Sequence, residues 1–222
     1  MRLIFFGAPG SGKGTHVELF SKYFGIKKIS LGDLLRDESK AETPLGLKLN
    51  SYMDNGLLAP DDLVSEIIKS KLKSDGFVLD GYPRTIAQAK MLDEMLQEKG
   101  IDIDAFIYLK VDDETVIGRL TKRLVCENCS AIYHLVNNPP REAGVCDLCR
   151  MRLKQRKDDS PEVIRKRLEV FSAQSKQVLD FYKDKQKLVC VDGRGQKDDV
   201  AKRIKKAILP VDSSSRLPDS CA

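Results

Sequence analysis

Gly7-Ala8-Pro9-Gly10-Ser11-Gly12-Lys13-Gly14-Thr15 is the stretch on which the fold turns. Before it stands Leu3 to Phe6, a continuous apolar run that suits a strand buried on both faces. After it, Lys13 to Phe24 reads as a helix closed by Gly25. Strand, glycine-rich turn and helix together form the setting in which such a loop holds phosphate. Glycines let backbone N–H groups converge on anionic oxygens with no Cβ in the way, and the helix N-terminus adds partial positive charge. Lys13 can then reach the β- and γ-phosphates of a nucleotide. The strict phosphate-loop pattern places a hydroxyl directly after the lysine; here Gly14 occupies that place and Thr15 follows.

Working outward, the apolar run recurs at Phe77 to Leu79, Ala105 to Val111 and Leu188 to Val191. Helical patterns lie between, at Asp61 to Leu72, Thr85 to Lys99 and Asp113 to Arg123. Alternation of this kind predicts an α/β fold: a P-loop three-layer sandwich with a parallel sheet, its fifth strand supplied by Lys28 to Ser30. Ser160-Pro161-Glu162 reads as N-cap, first-turn proline and dipole-matched acid, opening a helix with an apolar stripe at Ile164, Leu168, Phe171, Val178 and Tyr182. Two segments break the rhythm. The expected organisation is therefore a core of residues 1–29, 60–121 and 160–209, a helical lobe over 30–59, a cysteine-bearing lobe over 122–159, and a disordered tail over 210–222, where Cys221 has no evident purpose.

At 222 residues, 41% of them apolar and 32% charged, the chain can bury a sizeable core. The net charge of +5 is spread among interspersed acids and bases, and aromatics make up only 6%, so no stacking platform for nucleic acid is visible. The opening apolar run is too short for a signal core or a membrane span, so a cytoplasmic protein without membrane partners is expected.

Cys126-x2-Cys129, sixteen residues, then Cys146-x2-Cys149 is a four-thiolate spacing of the zinc-ribbon kind. Four cysteines fill a tetrahedral ion, so the metal is expected to be structural; zinc fits, and iron could use the same thiolates. A redox dithiol is the competing reading. His16 and His134 read as surface or polar-network residues. Arg119 and Arg123, four apart on one expected helix, share a face, while Arg36, Arg84 and Arg156 fall in loops or at element ends. Phosphoryl transfer between two nucleotides gathers many anionic oxygens, and an arginine-rich cleft answers that demand.

The loop variant G-x-P-G-x-G-K-G-T resembles that of the adenylate kinases. The resemblance runs on through Leu31-Gly32-Asp33-Leu34-Leu35-Arg36, Leu79-Asp80-Gly81-Tyr82-Pro83-Arg84-Thr85 with Gln88, and Arg156-Lys157-Asp158-Asp159 followed by Arg165-Lys166-Arg167. It implies reversible phosphoryl transfer from MgATP to AMP, giving two ADP, by a monomer whose lobes close over its nucleotides. By the same resemblance Gly10, Ser11, Gly12, Lys13, Gly14, Thr15, Arg119, Arg123, Ile132, Tyr133 and Gly195 would bind ATP. Ser30, Leu31, Arg36, Leu57, Leu58, Ala59, Gly81, Tyr82, Pro83, Arg84, Gln88, Arg156 and Arg167 would bind AMP. Lys13, Arg36, Arg84, Arg123, Arg156 and Arg167 would stabilise the transferring group, and Asp80 would hold a magnesium ion through water. Leu31 departs from the family's usual threonine. Two other readings stand beside this one: a kinase acting on UMP or CMP, and a zinc-ribbon module that binds nucleic acid through Lys154, Arg156 and Lys157.

Overall fold

The computed structural model describes residues 1–40, 43–72 and 75–209, so the expectations for the 210–222 tail and Cys221 lie outside the described residues. Its centre is a five-stranded parallel sheet in the order β2-β3-β1-β4-β8, built from β1 (Arg2–Phe6), β2 (Lys27–Ser30), β3 (Phe77–Asp80), β4 (Ala105–Lys110) and β8 (Leu188–Asp192). The expected fifth strand is present, one residue longer than the sequence pattern indicated.

Neighbouring residues of β1 point to opposite faces, and both faces are covered, which explains why the strand is apolar throughout rather than alternating. Ile4 and Phe6 pack on one side with Leu79, Phe106 and Tyr182, where the Phe106 and Tyr182 rings stack 3.8 Å apart. Leu3 and Phe5 pack on the other side with Val17, Phe20, Val200 and Ile204. The second group comes from α1 (Lys13–Phe24) and α8 (Lys197–Ile208). Helix α8 does not show in the sequence pattern, because its strongly charged composition masks the apolar pair Val200 and Ile204, which lie one helical turn apart.

Between β2 and β3 the chain forms α2 (Leu31–Ser39), α3 (Pro44–Asp54) and α4 (Asp61–Lys71). After β3 come α5 (Ile86–Glu98), β4 and α6 (Asp113–Leu120). Thr85 caps α5 through its side chain, and Ser160 caps the long helix α7 (Pro161–Asp184) by accepting from Val163 N–H. The helix expected to reach Arg123 stops at Leu120. Thr121 returns its hydroxyl to Ile117 O, and Arg123 opens β5 (Arg123–Cys126) instead. Arg119 and Arg123 therefore do not share a helical face. In a second, three-stranded sheet β5 pairs antiparallel with β6 (Ile132–His134) and β7 (Leu153–Lys154), and a short 3-10 turn (Lys157–Asp159) leads into α7.

Among the described residues no helix is long and apolar enough to cross a membrane.

Leu79, fully buried on β3, is a fair gauge of the central packing. Leu79→Ala is expected to lower unfolding free energy by about 3 kcal/mol, as read from the urea midpoint at unchanged slope.

Candidate functional site

All five strands of the main sheet end at one edge, and the chain crosses there from one side of β1 to the other, which opens a crevice. The glycine loop lines it. Gly10 takes φ +78°, and a Cβ there would lie 2.8 Å from Leu120 Cγ, so both the backbone conformation and the packing exclude a side chain. Lys13 folds back over its own loop, its ammonium donating to Gly7 O at 2.7 Å and Ala8 O at 2.8 Å. Withdrawal from water brings the Lys13 pKa down to about 7; Arg84, Arg167 and Arg123 push the same way and Asp80 opposes them. Asp80, at the end of β3, has Oδ2 3.4 Å from the point a Cβ on Gly14 would occupy, and Ile132 Cδ1 from β6 lies 4.0 Å from the same point. Loop, strand end and lobe tip thus meet at Gly14. Asp80 does not cap a helix; that task falls to Thr85.

Five arginines reach the site, each from a different element or turn. Arg84 follows Gly81 and the cis bond between Tyr82 and Pro83, and its Nε donates to Gly81 O at 2.7 Å. Desolvation lowers the Arg84 pKa to about 10, with Arg167 and Arg36 adding repulsion and Asp80 and Asp158 attraction. Arg156 is likewise lowered to about 10 by burial, then by Arg123 and Arg36. Arg123 forks onto Asp159, with Nε to Oδ2 at 2.8 Å and Nη2 to Oδ1 at 2.6 Å, and Asp159 is fully buried. Arg167 donates to Asp158 O and Oδ2, and Arg36 pairs with Asp33. The expected group of Lys13, Asp80 and these five arginines is therefore brought together.

Asp33, Asp158 and Asp159 appeared in the sequence only as members of motifs, yet they pair with the arginines. The signal available was an acid placed beside each arginine motif. Asp61 gave even less warning. It accepts from Thr85 Oγ1 at 3.0 Å and from Gln88 Nε2 at 2.7 Å, while Gln88 Oε1 accepts from Arg84 N–H. Gln88 is consequently buried and anchored at both ends of its amide. A cavity beside it is lined by Leu31, Leu35, Arg36, Met53, Leu57, Leu58, Ala59, Val64, Arg84, Gln88 and Arg167. Tyr82 is buried, its hydroxyl bonded to Ser65 Oγ and donating to Gln88 O. Ser30 precedes α2, and Leu31 is buried in the core.

On the opposite flank Arg119 donates to Ser11 O at 3.2 Å and to Gly193 O at 3.0 Å, tying the phosphate loop to the turn after β8, where Gly195 lies. Ile132 is exposed and faces Gly14, whereas Tyr133, its neighbour on the strand, turns inward and is buried. The Tyr133 hydroxyl accepts from Asp147 N–H and lies 3.6 Å from Cys146 Sγ, so its ring belongs to the interior of the lobe. Of the two places expected for His16, surface or polar network, the structure excludes the surface: it is 4% exposed. His134 does join a polar network, Nδ1 accepting from the N–H groups of Val136 and Asn137.

The sulfurs of Cys126, Cys129, Cys146 and Cys149 all lie within 4.8 Å of one another. Their contacts of 3.3 Å between Cys126 and Cys149, and 3.5 Å from Cys129 to both Cys146 and Cys149, are far too long for disulfides, which span about 2.05 Å. Four thiolates about 2.3 Å from a tetrahedral zinc would stand about 3.8 Å apart, so the cluster fits such an ion.

A family model described as adenylate kinase matches residues 5–187. The chain is 48% identical over 212 residues to the adenylate kinase of Caldicellulosiruptor bescii, covering 94% of this chain and 99% of that protein. It is also similar to the adenylate kinases of Bacillus velezensis, at 46% identity, and Clostridium tetani, at 43%, with 94% of this chain and 98% of each relative covered.

With its pKa near 7, Lys13 is largely uncharged at pH 8, and bound polyphosphate favours the charged form. Binding of MgATP is therefore expected to take up about one proton at pH 8 and far less at pH 6. Titration calorimetry in buffers of different ionisation enthalpy measures this; proton-neutral binding at pH 8 contradicts it.

Proposed function

Because the chain belongs to the adenylate kinase family and is thereby an enzyme of nucleotide phosphoryl transfer, we propose that it moves the γ-phosphoryl group of MgATP directly onto AMP, giving two ADP. The observation that carries this reading is the electrostatic coupling of Lys13, Arg36, Arg84, Arg123, Arg156 and Arg167 around one glycine loop. Nothing in the reaction calls for a protein base, since a phosphate monoester is largely ionised near pH 7 and can attack as it stands. What it needs is alignment of two polyanions and neutral surroundings for the charge they share.

Functionally the chain divides into a body of residues 1–29, 60–121 and 160–209, an AMP lobe over 30–59 and a lid over 122–159. ATP lays its β- and γ-phosphates on Gly10 to Thr15 under Lys13, and Asp80 would hold its magnesium through water. Arg119 and the turn at Gly195 receive the adenine. Ile132 closes over the triphosphate with its side chain, and Tyr133 contributes only backbone, because its ring is committed to the cysteine cluster. AMP enters the cavity bounded by Leu31, Leu57, Leu58 and Ala59, beside Ser30 and the Gly81 to Arg84 turn. Gln88 meets the base there, giving up Asp61 as it does so.

Arg36, Arg84, Arg156 and Arg167 grip the acceptor phosphate and, with Arg123, the group in flight. Planar guanidinium offers two-point contact with phosphate and does not lose its charge at neutral pH. Asp33, Asp158 and Asp159 occupy several of these donors, so incoming phosphates exchange one set of anions for another. Closure of the two lobes excludes water that would otherwise hydrolyse ATP. Cys126, Cys129, Cys146 and Cys149 would hold a zinc ion, which would give the lid cohesion that its small core lacks. The protein works as a cytoplasmic monomer with ATP, AMP and ADP as its partners.

Incubation with MgATP and each nucleoside monophosphate in turn tests the reaction. AMP is expected to give diphosphate by a wide margin over UMP and CMP, and Arg84→Ala to reduce kcat at least about a hundredfold with little change in thermal midpoint. Equal use of the pyrimidine nucleotides, or a fully active variant, would defeat the assignment.

For the lid, elemental analysis is expected to find about one zinc per chain, and a strong chelator to lower the thermal midpoint. Metal-free protein of equal stability would remove the structural role.

A further inference from the structure

His16 takes no part in the reaction described above, yet its position calls for a physical account. It lies in the first turn of α1, directly after the phosphate loop, and is 4% exposed. Nδ1 is buried with no hydrogen-bond partner, an arrangement that folded proteins seldom keep without a reason. The other edge of the ring faces the loop. Cδ2 and Nε2 lie 3.8 Å and 3.9 Å from the point a Cβ on Gly12 would occupy, and Arg119 Nη1 is 3.9 Å from that same point.

Two cations act on this ring. Burial lowers the His16 pKa most, followed by Lys197 at the start of α8 and by Arg119, bringing it to about 4, so the imidazole is neutral at pH 7. Neutral imidazole has one N–H and one acceptor nitrogen. A buried N–H without an acceptor is rarer than an under-used acceptor, so the proton belongs on Nε2 and the unpaired acceptor on Nδ1. The donating nitrogen is thus the one that faces Gly12.

The nucleoside of ATP has to leave the loop on this flank. Its phosphates lie along Gly10 to Thr15, and Arg119 links Ser11 to Gly193 where the adenine is received. Resting on that placement of ATP, we propose that His16 is a specificity contact of the donor site, its Nε2–H donating one hydrogen bond to an acceptor atom on the base or ribose of ATP. A neutral donor suits a place already facing Arg119 and Lys197, where another cation would add repulsion.

Steady-state kinetics of His16→Phe and His16→Gln test this. Phenylalanine keeps a ring but removes the donor, and the KM for ATP is expected to rise about fivefold, with KM for AMP, kcat and thermal midpoint unchanged. Glutamine restores a donor and is expected to recover most of the loss. Repeating the comparison with 2′-deoxy-ATP, 3-deaza-ATP and 7-deaza-ATP locates the acceptor, because the analogue that lacks it binds wild-type and His16→Phe protein alike. An unchanged KM for ATP in His16→Phe overturns the inference. So does a rise in both KM values with a fall in midpoint, which marks a packing role. Either result leaves AMP phosphorylation by the wild-type protein intact, whereas wild-type protein unable to phosphorylate AMP would overturn the reaction itself and this contact with it.

Discussion

Like charges repel more strongly as they are withdrawn from water, and the crevice over β1 gathers Lys13, Arg36, Arg84, Arg123, Arg156 and Arg167 within range of one another. Such a cluster persists in a folded protein only where anions sit among the cations. Here the protein supplies its own. Asp33 takes Arg36, Asp158 takes Arg167, and the fully buried Asp159 takes Arg123 in a two-point fork. The acids do more than balance charge: each holds a long flexible side chain in one direction.

The same constraint shapes the surroundings. Arg84 must project into the crevice, and the turn that carries it is fixed through Gln88, which accepts from Arg84 N–H while Asp61 anchors the other end of the amide. Arg119 stays outside the acid network. It is held instead by two backbone carbonyls, Ser11 O and Gly193 O, and so braces the phosphate loop against the last strand. Lys13 also rests on carbonyls, those of Gly7 and Ala8, with Asp80 as the nearby opposing charge. The three-stranded sheet joins this system through Arg123, which opens its first strand, and Asp159, in the short turn that leads into α7.

Much of this was legible in the chain itself. The run Leu3 to Phe6, the glycine loop and Gly25 placed the first strand and helix within a residue, because buried strands and helix ends follow local rules of hydrophobicity and backbone conformation. Ser160-Pro161-Glu162 marked the start of the long helix for the same reason. The cysteine spacing announced a four-sulfur cluster, and the four sulfurs do converge. Legibility failed where a residue's partner lies far along the chain. Arg123 read as the end of a helix, but its place is set by Asp159, 36 positions later, and by pairing with β6. His16 read as a surface or polar-network residue, but its ring is buried, with Lys197 of α8 close enough to disfavour its charged form. Helix α8 was hidden because its two core residues are outnumbered by charges that matter only to solvent.

The sequence by itself thus determined the alternation of strand and helix, the phosphate loop, the family and the metal-binding spacing, all of which depend on residues close together in the chain. Only the tertiary structure decided which acid neutralises which arginine, that Tyr133 faces the cysteines while Ile132 faces Gly14, and that Asp61 secures Gln88. Those outcomes depend on distances of a few ångströms between segments remote in the chain, and electrostatic and packing energies at that range are fixed by three-dimensional position, which no local pattern encodes.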